Sequence, residues 1–401
     1  VITKCISLIG AGAGVSVITG NITDPYNGMI TLMPDAGAVA ANLLIRVSGF
    51  TLDADDKSNG ILVFNDSATP VTQVRIDHNR IANAGGVSAG RAVYVRGSVY
   101  GVADHNSLEN FYHGMDSEGI GNATYSKQWD NLPIELGTAK NFYFEDNYLS
   151  NSASAVYFAG GHGGRYVSRY NTMTNASTAN IFPMWDMHGN QPSDICGMMV
   201  NEIYGNDVNL GAHGGRITDQ RGSTLLAFCN KVQWGADGAY IQIREEYLDS
   251  NYPSGNSYVM HARNSYYWKM RVNGTDMVTV TLENNQYEDT YDLAQNVDFW
   301  MQNDSYNGST EKGVFIGTSL PATATVGDGA WITTQSAALT GMVGTNPATP
   351  ISGTFYKATA LNTWTAFYTP YTYPHPLTGA SIPPAAGTVN RATANTVQVG
   401  R

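Results

Sequence analysis

Six short segments of this 401-residue chain share one alternating pattern. They are AVYVRG (92–97), GMDSEG (114–119), AVYFAG (155–160), MWDMHG (184–189), ITDQRG (217–222) and, without the glycine, IQIREEY (241–247). Alternate residues of an extended chain face opposite sides. Aligning the copies therefore turns Val93, Val156, Trp185, Thr218 and Ile243 inward. The outward pairs are then Tyr94/Arg96, Asp116/Glu118, Tyr157/Ala159, Asp186/His188, Asp219/Arg221 and Arg244/Glu246. Carboxylates, guanidinium groups, an imidazole and tyrosines gather on one face of a chain in which only 14% of residues are charged. Such a set can do acid–base work beside an anion. His188 can act as a base near neutral pH, and Arg221 and Arg244 can pair a carboxylate bidentately. Asp219 lies beside them, and Tyr157 is a candidate acid. Asp116, Glu118 and Asp186 offer the oxygen ligands that Ca²⁺ requires.

These groups suit removal of the proton α to a uronate carboxylate, with a cation to stabilise the enolate and an acid to meet the leaving oxygen. The expected partner is an acidic polysaccharide, cleaved by elimination around His188, Asp219 and Arg221. Tyr94, Arg96, Trp129 and Glu246 would bind the polymer, while Tyr112, Tyr125 and Trp234 could stack on sugar rings. Hydrolysis is an alternative, because Asp186 and Asp219 on neighbouring strands could flank a bond at the roughly 5–5.5 Å that retention needs. A plainer reading also stands. Asp219 beside Arg244, or Arg221 beside Glu246, can neutralise each other for about 0–1 kcal/mol and imply no function. The protein would then be a structural or adhesive module. At exposed positions, replacing Arg221 or His188 should leave stability nearly unchanged.

A second repeat shows what holds that face. VRIDHNRIAN (74–83), VADHNSLEN (102–110), FYFEDNYLSN (142–151) and YVSRYNTMTN (166–175) share an Asn, an apolar residue two positions on, and a second Asn. The first Asn falls at 79, 106, 147 and 171, and weaker copies continue at Asn206, Asn230, Asn264 and Asn285. Spacings of 21–27 with longer insertions fit the coils of a β-solenoid, in which no coil buries its inward face alone. An Asn at one turn position can take the left-handed conformation and bond its copy one coil away.

With the opening KCISLIGAGAGVSVITGN as a first coil, residues 4–310 resemble the right-handed parallel β-helix proteins of the pectate-lyase-like superfamily. The resemblance implies an all-β solenoid and a secreted protein. Related lyases pair Ca²⁺ with Arg or Lys bases, which the resemblance implies without assigning residues. The Gly-Ala-Gly-Ala-Gly run lacks a following helix pattern and reads as a solenoid turn, not a dinucleotide fingerprint.

Composition sets the outer bounds. A net charge of −11 argues against binding nucleic acid or an anionic membrane surface. No apolar run is long enough to span a bilayer. The expected organisation is one β-helix over 1–311 and a C-terminal extension over 312–401. The Pro- and aromatic-rich WTAFYTPYTYPHPLTG (364–379) would wrap or cap the solenoid, or mediate self-association. Cys196 and Cys229 could pair, although buried thiols are the simpler expectation.

Overall fold

A computed structural model describes residues 1–20, 27–56, 59–85, 90–119, 134–152, 155–175, 183–189, 197–211, 215–233, 239–244, 262–272, 275–276, 279–283, 292–335 and 343–379. The chain winds as a right-handed parallel β-helix with three sheets, visited in turn by each coil. Sheet I has ten strands, from Ser7–Ile9 to Phe299–Met301. Sheet II also has ten, beginning at Ser16–Thr19, and sheet III has nine, from Gly28–Leu32 to Thr279–Glu283. Pairing is parallel throughout sheets I and III. Among the described residues, the one antiparallel contact of sheet II is its last, Arg271–Val272 with Thr275–Asp276.

The first repeat forms the corner between sheets I and II. Asn106 illustrates each rung: its backbone N–H and its Nδ2 both donate to Asn147 Oδ1 at 3.0 Å. The same Nδ2 donates backwards to Ile76 O at 2.9 Å. Asn79, Asn147, Asn171, Asn206 and Asn230 continue this buried column. At its ends, Phe50 N–H donates to Asn79 Oδ1 and Asn230 Nδ2 meets Met270 Sδ. Met270, not Asn264, therefore holds the next rung, and Asn285 lies outside the described residues. The left-handed residue is also not the ladder Asn but the one before it. His78, His105, Asp146, Tyr170, Gly205, Cys229 and Lys269 all have positive φ. The turn residue bends the chain, which leaves the Asn amide free to bond along the solenoid axis.

Two residues after each rung, Ile81, Leu108, Leu149, Met173, Val208 and Val232 stack in register inside the solenoid. Burying a side chain of this size contributes about 1.5–3 kcal/mol. Sheet III supplies the facing column of Val93, Met115, Phe158, Trp185 and Thr218.

The C-terminal extension lies along the outside of sheet I. Val314–Gly317, Gly329–Ile332, Thr354–Ala360 and Thr363–Tyr368 form a fourth sheet, with the last two strands a hairpin. Their Trp331, Phe355 and Tyr368 pack on Tyr204, Phe228, Tyr266 and Trp268 of sheet I. Beyond them the Pro-rich segment seals a buried ionic row that sequence reading missed. Arg169 is fully buried, donates to Glu145 Oε2 at 2.7 Å, and donates to the carbonyls of Tyr371 and Thr372 at 2.7 and 2.9 Å. His375 N–H returns to Glu145 at 2.8 Å, and Arg75 donates to Thr378 O at 2.8 Å. Pro374, with no N–H of its own, fits a strap that gives its polar backbone atoms to side chains beneath it. Cys229 is buried at the same interface, and Cys196 lies outside the described residues.

Asn147→Ala strands the Asn106 N–H, removes one acceptor of the Asn106 Nδ2 and takes a donor from the Ala103 and Glu145 carbonyls; a buried polar group left unpaired costs about 1–3 kcal/mol. Thermal melting is expected to fall by many degrees, against almost none for Tyr148→Ala on the exposed neighbouring site. A second prediction concerns Glu202 under the strap, where burial raises the carboxyl from 4.5 to about 7 despite donors from Gly137 N–H and Tyr368 OH. The folded chain thus holds this proton more tightly than the unfolded one. The stabilisation is full below pH about 4.5 and is lost as pH rises to about 7. Denaturant melts of wild type and Glu202→Gln should show wild type losing ground across that window. A difference that does not change with pH would contradict it.

Candidate functional site

Sheet III carries the second repeat, and its pairing sets which residues share the outer face. One outward column runs Tyr94, Asp116, Ala159, Asp186, Asp219 and Gln242. The next outward positions hold Arg96, Glu118, Gly161, His188, Arg221 and Arg244. Two copies are displaced by two residues from the alignment that sequence alone suggests. In AVYFAG, Phe158 sits beside Met115 and Ala159 beside Asp116. In IQIREEY, Gln242 sits beside Asp219, following an irregularity between Arg216 and Thr218.

The first displacement removes Tyr157 from the face. It stands where the chain enters sheet III from sheet II, fully buried, with its OH donating to Thr174 O at 2.6 Å and its ring edge-on to Phe111. Burial raises its pKa strongly. A phenol so enclosed cannot meet a leaving group on the surface, so the expectation that Tyr157 is the acid is corrected. Ala159 and Gly161 leave that coil bare, dividing the face into two clusters.

In the first cluster Arg91 binds Asp116 and also donates to Glu118 at 3.0 Å. Tyr94 OH donates to Glu118, Arg96 approaches the same carboxylate at 3.7 Å, and His113 Nδ1 lies 3.2 Å from Asp116. Burial alone would raise the Asp116 carboxyl, but Arg91 and His113 hold it below the usual range. In the second cluster Arg221 forks onto Asp186 at 2.6 and 2.7 Å. His188 Nε2 stands 3.3 Å from Asp186, with its side chain 31% exposed. Arg244 grips both oxygens of Asp219, donating to Oδ1 at 2.7 Å and also to Oδ2, and Arg216 donates to Oδ2 at 2.6 Å. Against the raising effect of burial, Arg221 and His188 hold Asp186 well below the carboxylate range.

The structure thus brings His188, Asp186, Asp219, Arg221 and Arg244 together, and separately Tyr94, Arg96, Asp116 and Glu118. Trp129, Tyr125, Trp234 and Glu246 lie outside the described residues. Asp116, Glu118 and Asp186 do not form a calcium cage. Each faces an arginine, and no group of three His, Cys, Asp or Glu among the described residues could hold a metal ion. Sequence reading missed Arg91, His113 and Arg216, although a signal was present. Each stands three residues before an outward ladder residue, as in Arg91/Tyr94, His113/Asp116 and Arg216/Asp219. Comparison with family models, curated proteins and solved structures finds no match for this chain.

Burial also corrects the expected insensitivity of this face to substitution. Arg221 and Asp186 are each only 6% exposed. Arg221→Ala leaves Asp186 without its bidentate partner, a loss of about 3–5 kcal/mol for a buried pair. The Asp186 contribution is present above pH about 4 and fades as acid approaches its lowered folded pKa. Melts of Arg221→Ala should therefore fall well below wild type at neutral pH and converge towards it in acid. Equal melting temperatures at neutral pH would contradict the pairing.

Proposed function

We propose that this is a secreted, pectate-lyase-like protein that binds acidic, uronate-bearing polysaccharide along the outer face of sheet III and cleaves it by elimination at His188. The supporting observation is the charge of the second cluster. Among the described side chains, three guanidinium groups (Arg216, Arg221, Arg244) stand on two carboxylates, Asp186 and Asp219. That local surplus lies on a chain of net charge −11, which makes it a favourable place for an anionic sugar. Arginine presents the planar fork that a carboxylate matches. Parallel coils at about 4.8 Å spacing offer a linear track for a linear polymer.

In this reading Arg244 and Arg221 meet the uronate carboxylate and withdraw charge from the enolate that forms beside it. The His188 imidazole takes the proton α to the carboxylate. The electron pair left on that carbon forms the new double bond and expels the glycosidic oxygen on the adjacent carbon. With Tyr157 enclosed, water supplies that oxygen with its proton. Asp186 orients His188 rather than acting itself. Hydrolysis is disfavoured, because Asp186 is held ionised and cannot serve as general acid near neutrality. No step passes through Ca²⁺.

A second reading rests on one specific observation: Asp116, Glu118, Asp186 and Asp219 each already carry an arginine. A face closed in this way can serve as a rigid adhesive or self-associating surface without chemistry. Incubation with polygalacturonate, alginate and hyaluronan separates the two. Elimination creates unsaturated ends that absorb in the ultraviolet. The proposal expects that signal with at least one polymer, abolished by His188→Ala while polymer retention persists. Retention with no signal favours the non-catalytic surface. Absence of both from all three polymers overturns the proposal.

A further inference from the structure

Where sheet III turns into sheet I, between the solenoid and the C-terminal strap, lies a cleft of about 610 Å³. That size falls within the range of small-molecule sites. Gly97, Gly119, Gly163 and Gly164 line it on the solenoid side and put no side chain into the space. Tyr371, His375, Pro376 and Leu377 of the strap form the far wall. The docked strap is therefore what turns a bare corner of the solenoid into a cleft.

The charged side chains of the wall are already engaged. Lys140 is bound to Glu135 at 2.6 Å, and Glu118 takes Arg91 at 3.0 Å as well as Tyr94. Arg165 faces Glu135 and Tyr100. An entering anion would meet Glu118 and Glu135, and an entering cation would meet Lys140 and Arg165, so both signs are opposed. Neutral groups make up the rest. Gln73, Ser98 and Tyr100 are partly exposed on the solenoid side, opposite the apolar Leu377. One polar atom of the wall is left over. His375 is only 4% exposed, and its Nδ1 accepts from Leu377 N–H at 3.2 Å, which puts the proton of the neutral ring on Nε2. Burial and the nearby Arg169 push its pKa down to about 3, so the ring stays neutral. The buried Nε2 has no hydrogen-bond partner among the described residues. A buried N–H left in this state is costly, and an acceptor brought from outside relieves it.

We infer that this cleft binds an uncharged saccharide, a neutral pyranose seated against Tyr371 and Leu377 with its hydroxyls at Gln73 and Tyr100 and one oxygen accepting from His375 Nε2. A pyranose has C–H faces that a tyrosine ring and a leucine side chain cover. Its rim of hydroxyls both donates and accepts, as does the Gln73 carboxamide. It carries no charge to set against Glu118, Glu135, Lys140 or Arg165. The inference goes beyond the reading of sheet III and does not rest on it, since the ladder is read for anionic sugars and the cleft for neutral ones.

The test is calorimetric titration of the full chain with the neutral disaccharides cellobiose, galactobiose and mannobiose, repeated in the presence of digalacturonate. At least one neutral disaccharide should bind, and digalacturonate should not displace it. Gln73→Ala and His375→Asn should each weaken that binding at least tenfold. Asn keeps an acceptor for the Leu377 N–H while removing the Nε2 donor, and Gln73 is partly exposed, so the two variants are independent if either one folds poorly by circular dichroism. Tyr148→Ala, on the outer face of sheet II, should leave the binding unchanged. Absence of binding by all three neutral disaccharides, their displacement by digalacturonate, or indifference to both cleft variants overturns the inference. Digalacturonate that binds alongside the neutral sugar, and equally well to both cleft variants, occupies a different place and leaves the cleft a neutral-sugar site.

Discussion

Everything in this molecule depends on the repeat distance between coils, and the Asn column is what holds it. A β-strand spacing of about 4.8 Å is shared by all three sheets, but strands alone do not fix where one sheet ends and the next begins. The buried amides do so at one corner. Each Oδ1 takes two donors from the neighbouring rung, and each Nδ2 spans two coils. An amide has donors and an acceptor in one plane, so a column of amides satisfies itself without water. Since each buried polar group left unpaired costs about 1–3 kcal/mol, the register of the corner is strongly specified. The outward residues of sheet III inherit that register, and so do the contacts among their charges.

The same stacking that aligns the ladder also quenches much of it. Neighbouring coils bring Arg221 to Asp186 and Arg244 to Asp219 at hydrogen-bond distance. A carboxylate shared by two arginines, as Asp219 is by Arg216 and Arg244, is a structural anchor. This is why the candidate site is read from surplus guanidinium groups and a partly exposed imidazole. Sheet I shows the opposite outcome. Its charged row of Asp104, Glu145 and Arg169 is sealed under the C-terminal strap, where strap backbone atoms satisfy it. Similar residue types thus give a surface in one sheet and an interior in another.

The solenoid was legible because its signal repeats. Asn79, Asn106, Asn147 and Asn171, each with an apolar residue two positions on, stand in the stacked columns the spacing implies. What failed was phase in single copies. Tyr157 was read as outward because AVYFAG looks like AVYVRG, but a two-residue slip keeps side-chain parity while moving the strand along its partner. No local property of the six residues reports such a slip. Asn264 misled differently: it stands just before the strand Ser265–Trp268, whereas the rung falls after that strand, where Met270 occupies it. The strap contacts were illegible for another reason. They join residues some two hundred positions apart, such as Arg169 with Tyr371, through backbone carbonyls that carry no sequence signature.

The central claim is that an acidic polymer lies along the outer face of sheet III. A crystal structure of the protein with a bound uronate oligosaccharide tests it most directly. The account predicts sugar rings crossing the coils of Trp185–Met187, Gly215–Gln220 and Ala239–Arg244, with a carboxylate on the guanidinium of Arg221 or Arg244 and His188 beside the adjacent carbon. An oligosaccharide seated only on the outer face of sheet II, with the sheet III arginines untouched, would contradict it.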